Sequence, residues 1–98
     1  VRMRDARRDL ALLEVSAASL PHIARGRDRS LRTGELVIAV GNPFGFAGAL
    51  STGVVHAVGP APGLGGREWV QADVRLAPGN SGGPLADAEG RLAGINTM

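Results

Sequence analysis

Apolar residues in this chain occur in short runs of about four to eight positions, separated by stretches rich in glycine, proline and charged residues. This pattern is typical of β-strands joined by turns, and we identify no convincing helix. Residues 10–15 predict a short buried strand, since their length and polar flanks do not suit a helix. Residues 36–40 are rich in β-branched side chains and predict a central strand that stops at the turn-favouring sequence Gly41-Asn42-Pro43.

The second half of the chain continues the same pattern. Gly53, inside one of these runs, marks either a β-bulge or a close approach of two backbones. A turn is predicted at 87–90 between an antiparallel pair, and a glycine-rich loop at 59–66. The predicted strands here are residues 51–58, 69–72, 84–86 and 92–95.

Short strands at roughly ten-residue spacing indicate an all-β fold, either an antiparallel barrel or a sandwich. Residues 16–33 lose the apolar pattern and predict a connecting segment. The 98 residues suffice for one small domain at most. We expect no membrane span, because no apolar run approaches the ~18 residues required, and we see no signal peptide in the chain.

Composition excludes several kinds of chemistry. The chain has no cysteine, so it has no disulfide, thiolate metal site or cysteine nucleophile. All 11 basic residues are arginine, against 9 acids, which leaves a net charge of only +2. The arginine clusters are interrupted by aspartates and lack interleaved aromatic residues, so we expect solvated arginines rather than a nucleic-acid site.

Candidate chemistry lies in residues 77–85, which read APGNSGGPL. A serine in a tight, glycine-flanked turn can expose its Oγ, while backbone N–H groups around it converge on one point. We therefore predict an oxyanion hole formed by the N–H groups of Gly79 and Ser81, the kind of donor pair that acyl transfer needs. Taken alone, the string also fits a simple hairpin turn.

This stretch resembles the Gly-Asn-Ser-Gly-Gly signature of the HtrA/Deg serine proteases, and other segments match the same family in the same order. Those segments are residues 9–13, 41–45, 51–55 and 94–97. The resemblance implies a chymotrypsin-like antiparallel β-barrel, mainly the C-terminal barrel of the double-barrel protease fold. It divides the chain into the end of the first barrel (1–15), a connector (16–33) and most of the second barrel (34–98).

The resemblance also implies roles for individual residues. Ser81 would attack the scissile carbonyl, and Asp9 would orient a catalytic histidine. The oxyanion hole would be formed by Gly79, Asn80 and Ser81. The residues expected to contact substrate are Arg75, Leu76, Ala77, Ile95 and Asn96, with small aliphatic side chains preferred in the pocket for the residue before the cleaved bond.

The catalytic histidine is the member of the serine–histidine–aspartate triad for which the chain has no matching residue. In the family's order of histidine, aspartate and serine, the histidine precedes Asp9, but none of the eight residues before Asp9 is histidine. His22 and His56 do not match the family's histidine position, and we interpret them as surface or strand-facing residues. We therefore expect residues 1–98 alone to be catalytically incomplete, since losing the histidine removes roughly a millionfold in turnover.

The sequence also allows specific predictions for two polar residues in or near the motif, Asn80 and Asp73. Asn80 stands where trypsin itself has an aspartate that pairs with a newly freed N-terminus, and an amide cannot form that ion pair. The resemblance therefore implies activation by loop rearrangement. Asp73 either holds the loop by hydrogen bonds or is simply exposed to solvent.

The function implied by the resemblance is a serine-type endopeptidase that cleaves unfolded or misfolded polypeptides in the bacterial cell envelope or periplasm. Relatives of this type commonly form homotrimers and carry a peptide-binding PDZ domain after the protease. No cofactor or metal is implied. The alternative is a non-catalytic pseudoprotease or a peptide-binding β-barrel module.

Overall fold

The computed structural model describes residues 1–26, 31–42, 49–60, 68–76 and 79–97. Within these ranges the chain forms seven strands and no helix, so none of the described residues belongs to a helix that could cross a membrane. The strands are β1 (Met3–Asp5), β2 (Leu10–Leu12), β3 (Leu36–Gly41), β4 (Ala49–Pro60), β5 (Glu68–Asp73), β6 (Pro84–Asp87) and β7 (Leu92–Ile95). The all-β prediction is confirmed.

The strands form two antiparallel sheets. β1 and β2 make a two-stranded sheet, and the others make a five-stranded sheet in the order β5-β4-β3-β6-β7. The predicted hairpin is confirmed, since β6 and β7 pair around residues 88–91 with Pro84 opposite Ile95. A parallel bridge between Arg25 and Leu92 attaches the segment before β3 to the edge of the larger sheet.

The core lies on one face of the five-stranded sheet, because successive side chains of a strand point to opposite faces. Val37 and Ala39 of β3 are buried there against Val55 of β4 and Leu85 of β6. Leu36, the neighbour of Val37, is exposed on the other face. Partly buried apolar residues pack around this core: Leu31, Val58, Val70, Ala72, Val74 and Leu76.

Gly53 is a point of close backbone approach between β4 and β5. A Cβ atom at this position would overlap the carbonyl oxygen of Asp73. The irregularity in the ladder lies elsewhere, between Val55 and Ala57, where His56 is the extra residue on β4. The close-approach interpretation of Gly53 is therefore right and the bulge interpretation is wrong.

The prediction of a buried strand at 10–15 is wrong in two respects. β2 ends at Leu12, and its three residues are all exposed. Leu13 and Val15 are also exposed, at 65% and 63%. An apolar strand is buried only where a second layer covers it, and the described residues place no such layer over β1 and β2.

Other boundaries shift by a few residues. The sequence does not predict β1, because this strand has three residues and only one of them, Met3, is apolar. β4 continues to Pro60, so the loop predicted from residue 59 begins later, and residues 61–66 lie outside the described ranges. β3 ends at Gly41, within the predicted Gly41-Asn42-Pro43 turn sequence. Pro43 itself lies outside the described residues.

Candidate active site

Ser81 lies on a tight turn that leads into β6. Gly79 and Gly82 have φ angles of 103° and 88°, in the left-handed region that favours glycine. The N–H of Gly83 donates to the carbonyl oxygen of Asn80 at 3.0 Å and closes the turn around Ser81. The serine side chain is exposed, as an attacking nucleophile requires.

Backbone donors on this turn differ in whether they are engaged. The N–H groups of Gly82 and Gly83 donate to carbonyl oxygens, at 2.8 and 3.0 Å. Among the described residues, no carbonyl accepts from the N–H of Gly79 or from that of Ser81. The N–H of Asn80, which lies between them, likewise donates to no described carbonyl, so all three residues predicted to form an oxyanion hole have N–H groups without a carbonyl partner in the described part of the chain.

The end of β3 supports one side of this turn. The N–H of Asn42 donates to the carbonyl oxygen of Gly79 at 3.3 Å. A Cβ atom at Gly41 would overlap the side-chain oxygen of Asn80, and one at Gly83 would overlap the carbonyl oxygen of Val40. Glycine at both positions therefore lets the turn sit directly against the strand.

The end of β7 supports the other side. The N–H of Gly82 donates to the carbonyl oxygen of Asn96, and the N–H of Asn96 donates to that of Gly83, both at 2.8 Å. The Asn96 side chain is buried, and its Nδ2 donates to the carbonyl oxygen of Pro84 at 3.1 Å. Asn96 therefore anchors the turn through its backbone and bonds to the start of β6 through its side chain, whereas the neighbouring Ile95 is 52% exposed.

Asp9 lies at the same end of the larger sheet, although 72 positions separate it from Ser81 along the chain. The hydroxyl of Thr97 donates to Oδ2 of Asp9 at 2.8 Å. Thr97 follows Asn96, which bonds to the turn of Ser81, so two adjacent residues connect the aspartate with that turn. Sequence reasoning gave Thr97 no role, although it is a hydroxyl residue and lies in the segment 94–97 that resembles the family.

The segment before the turn presents alternate residues outward. Asp73 and Arg75 are exposed, whereas Val74 and Leu76 are half-buried and pack against the core. The backbone carbonyl of Asp73 is the group that approaches Gly53. Ala77, which we also predicted to contact substrate, lies outside the described residues.

The two histidines make no hydrogen bond to Ser81 or Asp9 within the described residues. Nδ1 of His22 is 3.3 Å from the carbonyl oxygen of Ile23, and His22 is exposed. His56 is exposed on β4. No hydrogen bond among the described residues joins either histidine to Ser81 or Asp9. The same residues contain no group of three histidine, cysteine or acidic side chains that could hold a metal ion.

Comparison with known proteins bears on this geometry. The profile of the family described as trypsin-like peptidase domain matches residues 1–95. The chain is 44% identical over 95 residues to a probable periplasmic serine endoprotease DegP-like from Pseudomonas fulva (strain 12-X). It is equally similar to a protein of the same description from Hahella chejuensis (strain KCTC 2396). Each alignment covers 96% of this chain and 20% of the relative, so the chain spans about a fifth of the relatives' length.

Solved structures give the same result. The HtrA-type protease AlgW with decapeptide matches with a TM-score of 0.86 and 42% identity, over 96% of this chain and 30% of the other. The HtrA-type protease AlgW with tripeptide matches with a TM-score of 0.82 and 43% identity, over 91% of this chain and 30% of the other. Identity above 40% together with these scores shows common family membership as well as a common fold.

Proposed function

Because this chain belongs to the trypsin-like peptidase family, in its HtrA-type group, we propose that it carries the nucleophile and the orienting aspartate of a serine endopeptidase. Ser81 is the nucleophile and Asp9 is the aspartate. The observation that carries the proposal is the turn at residues 79–83, which exposes the serine and leaves the N–H groups of Gly79 and Ser81 open. An exposed serine beside N–H groups that donate to no described carbonyl is the arrangement that acyl transfer requires, because such donors can stabilise the negative charge on the carbonyl oxygen.

The proposed chemistry is acyl transfer to Ser81. Its Oγ attacks the scissile carbonyl carbon, its proton passes to a histidine, and the N–H groups of Gly79 and Ser81 stabilise the negative charge on the carbonyl oxygen. The histidine then protonates the leaving amine as the peptide bond breaks, and water later hydrolyses the acyl-enzyme. Asp9 holds the imidazole in the correct tautomer.

We propose that this histidine comes from a part of the protein that precedes residue 1. The family order of histidine, aspartate and serine supports this, as does the fact that the chain covers 20% of its DegP-like relative. We also propose that the chain comprises the end of a first barrel (1–15), a connector (16–33) and most of a second barrel (34–98), as the resemblance to the family implies. In the described part of the chain, no hydrogen bond joins His22 or His56 to Ser81 or Asp9, and neither matches the family's histidine position.

Polypeptides are the proposed substrates, and unfolded or misfolded proteins are the proposed class. Peptides are named with the AlgW structures, and the DegP-like relatives are named periplasmic. We therefore place the protein in the bacterial cell envelope, and propose a homotrimer from the resemblance alone. We propose that Arg75 and Ile95, which are exposed, contact the peptide, whereas Leu76 packs on the core.

A test uses the whole gene product that carries this chain, treated with an organofluorophosphonate and digested for mass spectrometry. We expect the label on the peptide containing Ser81, and cleavage of reduced, unfolded protein by the same sample. Ser81→Ala is the matched control and should lose both. A folded, unlabelled and inactive wild-type protein would instead support the pseudoprotease or peptide-binding module.

A further inference from the structure

Asn80 is buried although its neighbour Ser81 is exposed. Only 4% of its surface is accessible. Its Oδ1 atom is buried and has no hydrogen-bond partner among the described residues. An unpaired acceptor of this kind is costly, so an apolar side chain of the same size would be better there if stability alone mattered.

The side chain occupies a pocket that depends on glycine. A Cβ atom on Gly41 would overlap Oδ1 of Asn80 and would lie 2.9 Å from its Cα and Cγ atoms. The backbone of Asn80 is fixed as well, since its carbonyl oxygen accepts from the N–H of Gly83 at 3.0 Å. A shift of Asn80 in this pocket would therefore move Ser81 and its N–H group.

The surroundings of the pocket offer no compensation for a negative charge. β3, which forms its wall, has no ionisable side chain, and neither has β7. The only one on β6 is Asp87, at the far end of that strand, where its carboxylate accepts N–H groups of the 87–91 turn. The turn at 79–83 contains none. A carboxylate at position 80 would be buried without a counterion among the described residues.

We propose that Asn80 is a positioning residue for Ser81 and that the pocket beside Gly41 accepts only an uncharged side chain. This inference rests on the proposed function, because it concerns the placement of the same nucleophile. The side chain of Asn80 acts through Ser81 and does not itself touch the reacting atoms. Its neutral amide fills the pocket, and that contact holds the oxyanion donors in place.

Replacement of Asn80 by aspartate isolates the charge, since the two side chains have nearly the same shape. Burial without a partner raises the pKa of the introduced carboxyl above its ordinary value. Below that pKa the group is neutral and the pocket stays filled. Above it, the carboxylate turns out toward water and pulls the 79–83 turn away from β3.

The experiment compares wild type, Asn80→Asp and Asn80→Leu in the whole gene product, with kcat and KM measured between pH 5 and pH 9. At high pH we expect kcat of Asn80→Asp to be about 100-fold below wild type, the usual effect of losing one oxyanion donor, with KM little changed. The ratio of variant to wild type should rise as pH falls. Asn80→Leu is uncharged, so its ratio should not vary with pH.

Thermal unfolding of the same variants tests the pocket without relying on catalysis. A carboxyl whose pKa is raised in the folded state stabilises at low pH and loses that contribution as pH rises. The melting temperature of Asn80→Asp should therefore fall relative to wild type as pH increases, and that of Asn80→Leu should not. A kcat ratio or a melting difference for Asn80→Asp that is independent of pH overturns the inference. An inactive, unlabelled wild type refutes only the proposed function, because the melting comparison still tests the pocket.

Discussion

Thr97 shows how single side chains complete the site. Asp9 has a φ angle of 56°, a left-handed conformation that aspartate tolerates better than most residues. Its carboxylate accepts the hydroxyl of Thr97, which restricts the orientation of a group that is otherwise exposed. In the proposed mechanism, a carboxylate that samples several orientations positions the imidazole of the catalytic histidine less well. We therefore expect Thr97 to contribute to catalysis through Asp9.

We expect Thr97→Val to lower kcat about tenfold with little change in KM, since a hydrogen bond to a charged but exposed group contributes about 1.4 kcal/mol. Valine has nearly the shape of threonine and lacks only the hydroxyl. Thr97→Ser keeps the donor and should stay within about twofold of wild type. Steady-state kinetics of the whole gene product would decide this, and equal kcat for Thr97→Val and wild type would contradict it.

Among the elements, the β6–β7 hairpin positions the site. Its open end carries both the Ser81 turn, before β6, and Thr97, after β7. Asp87 is buried at the other end of the hairpin, with 4% of its surface accessible. Its Oδ1 accepts the N–H groups of Glu89 and Arg91, both at 2.9 Å. One carboxylate oxygen thus fixes the turn that sets the register of both strands.

Asp87→Ala should destabilise the protein by about 3 kcal/mol, because two turn N–H groups lose their acceptor. Asp87→Asn keeps an oxygen in the same place and should cost about 1 kcal/mol. Denaturant titration gives the free energies, and hydrogen exchange at Glu89 and Arg91 locates the effect. Slow exchange at both amides in Asp87→Ala would show that the carboxylate does not hold the turn.

As a whole molecule, the chain is under-packed for its mass. Its accessible surface of 7352 Å² exceeds the roughly 5,200 Å² expected of a compact 10.0-kDa protein. In the described part of the chain, large apolar side chains are exposed on β1, β2, β3, β4 and β7, at residue 1 and within residues 13–23. The exposed large apolar residues are Val1, Met3, Leu10, Leu12, Leu13, Val15, Leu20, Ile23, Leu36, Leu50, Val54 and Ile95.

We expect residues 1–98 expressed alone to aggregate or to unfold without a cooperative transition, because exposed apolar surface of this extent favours association. Calorimetry and the binding of a hydrophobic dye would measure both properties. The whole gene product is the control and should melt cooperatively. A sharp melt of the isolated chain as a monomer would contradict the expectation.

Strand positions and the reactive turn could be predicted from sequence because both depend on local rules. The β-branched run at 36–40 and the need for glycine at 79 and 82 follow from strand propensity and backbone sterics. The same rules failed for residues 10–15. Burial there depends on what packs against the strand, and an apolar sequence does not contain that information.

By itself, the sequence determined the strand-and-turn order, the all-β class and the identity of Ser81 and Asp9 as candidates. Only the tertiary structure decided that Thr97 bonds to Asp9, that Asn80 is buried against Gly41, and that Asn96 anchors the turn. Each of these contacts joins residues more than ten positions apart in the sequence. They arise when β3 and β7 pack on either side of the turn, and that packing is a property of the folded chain rather than of any local pattern.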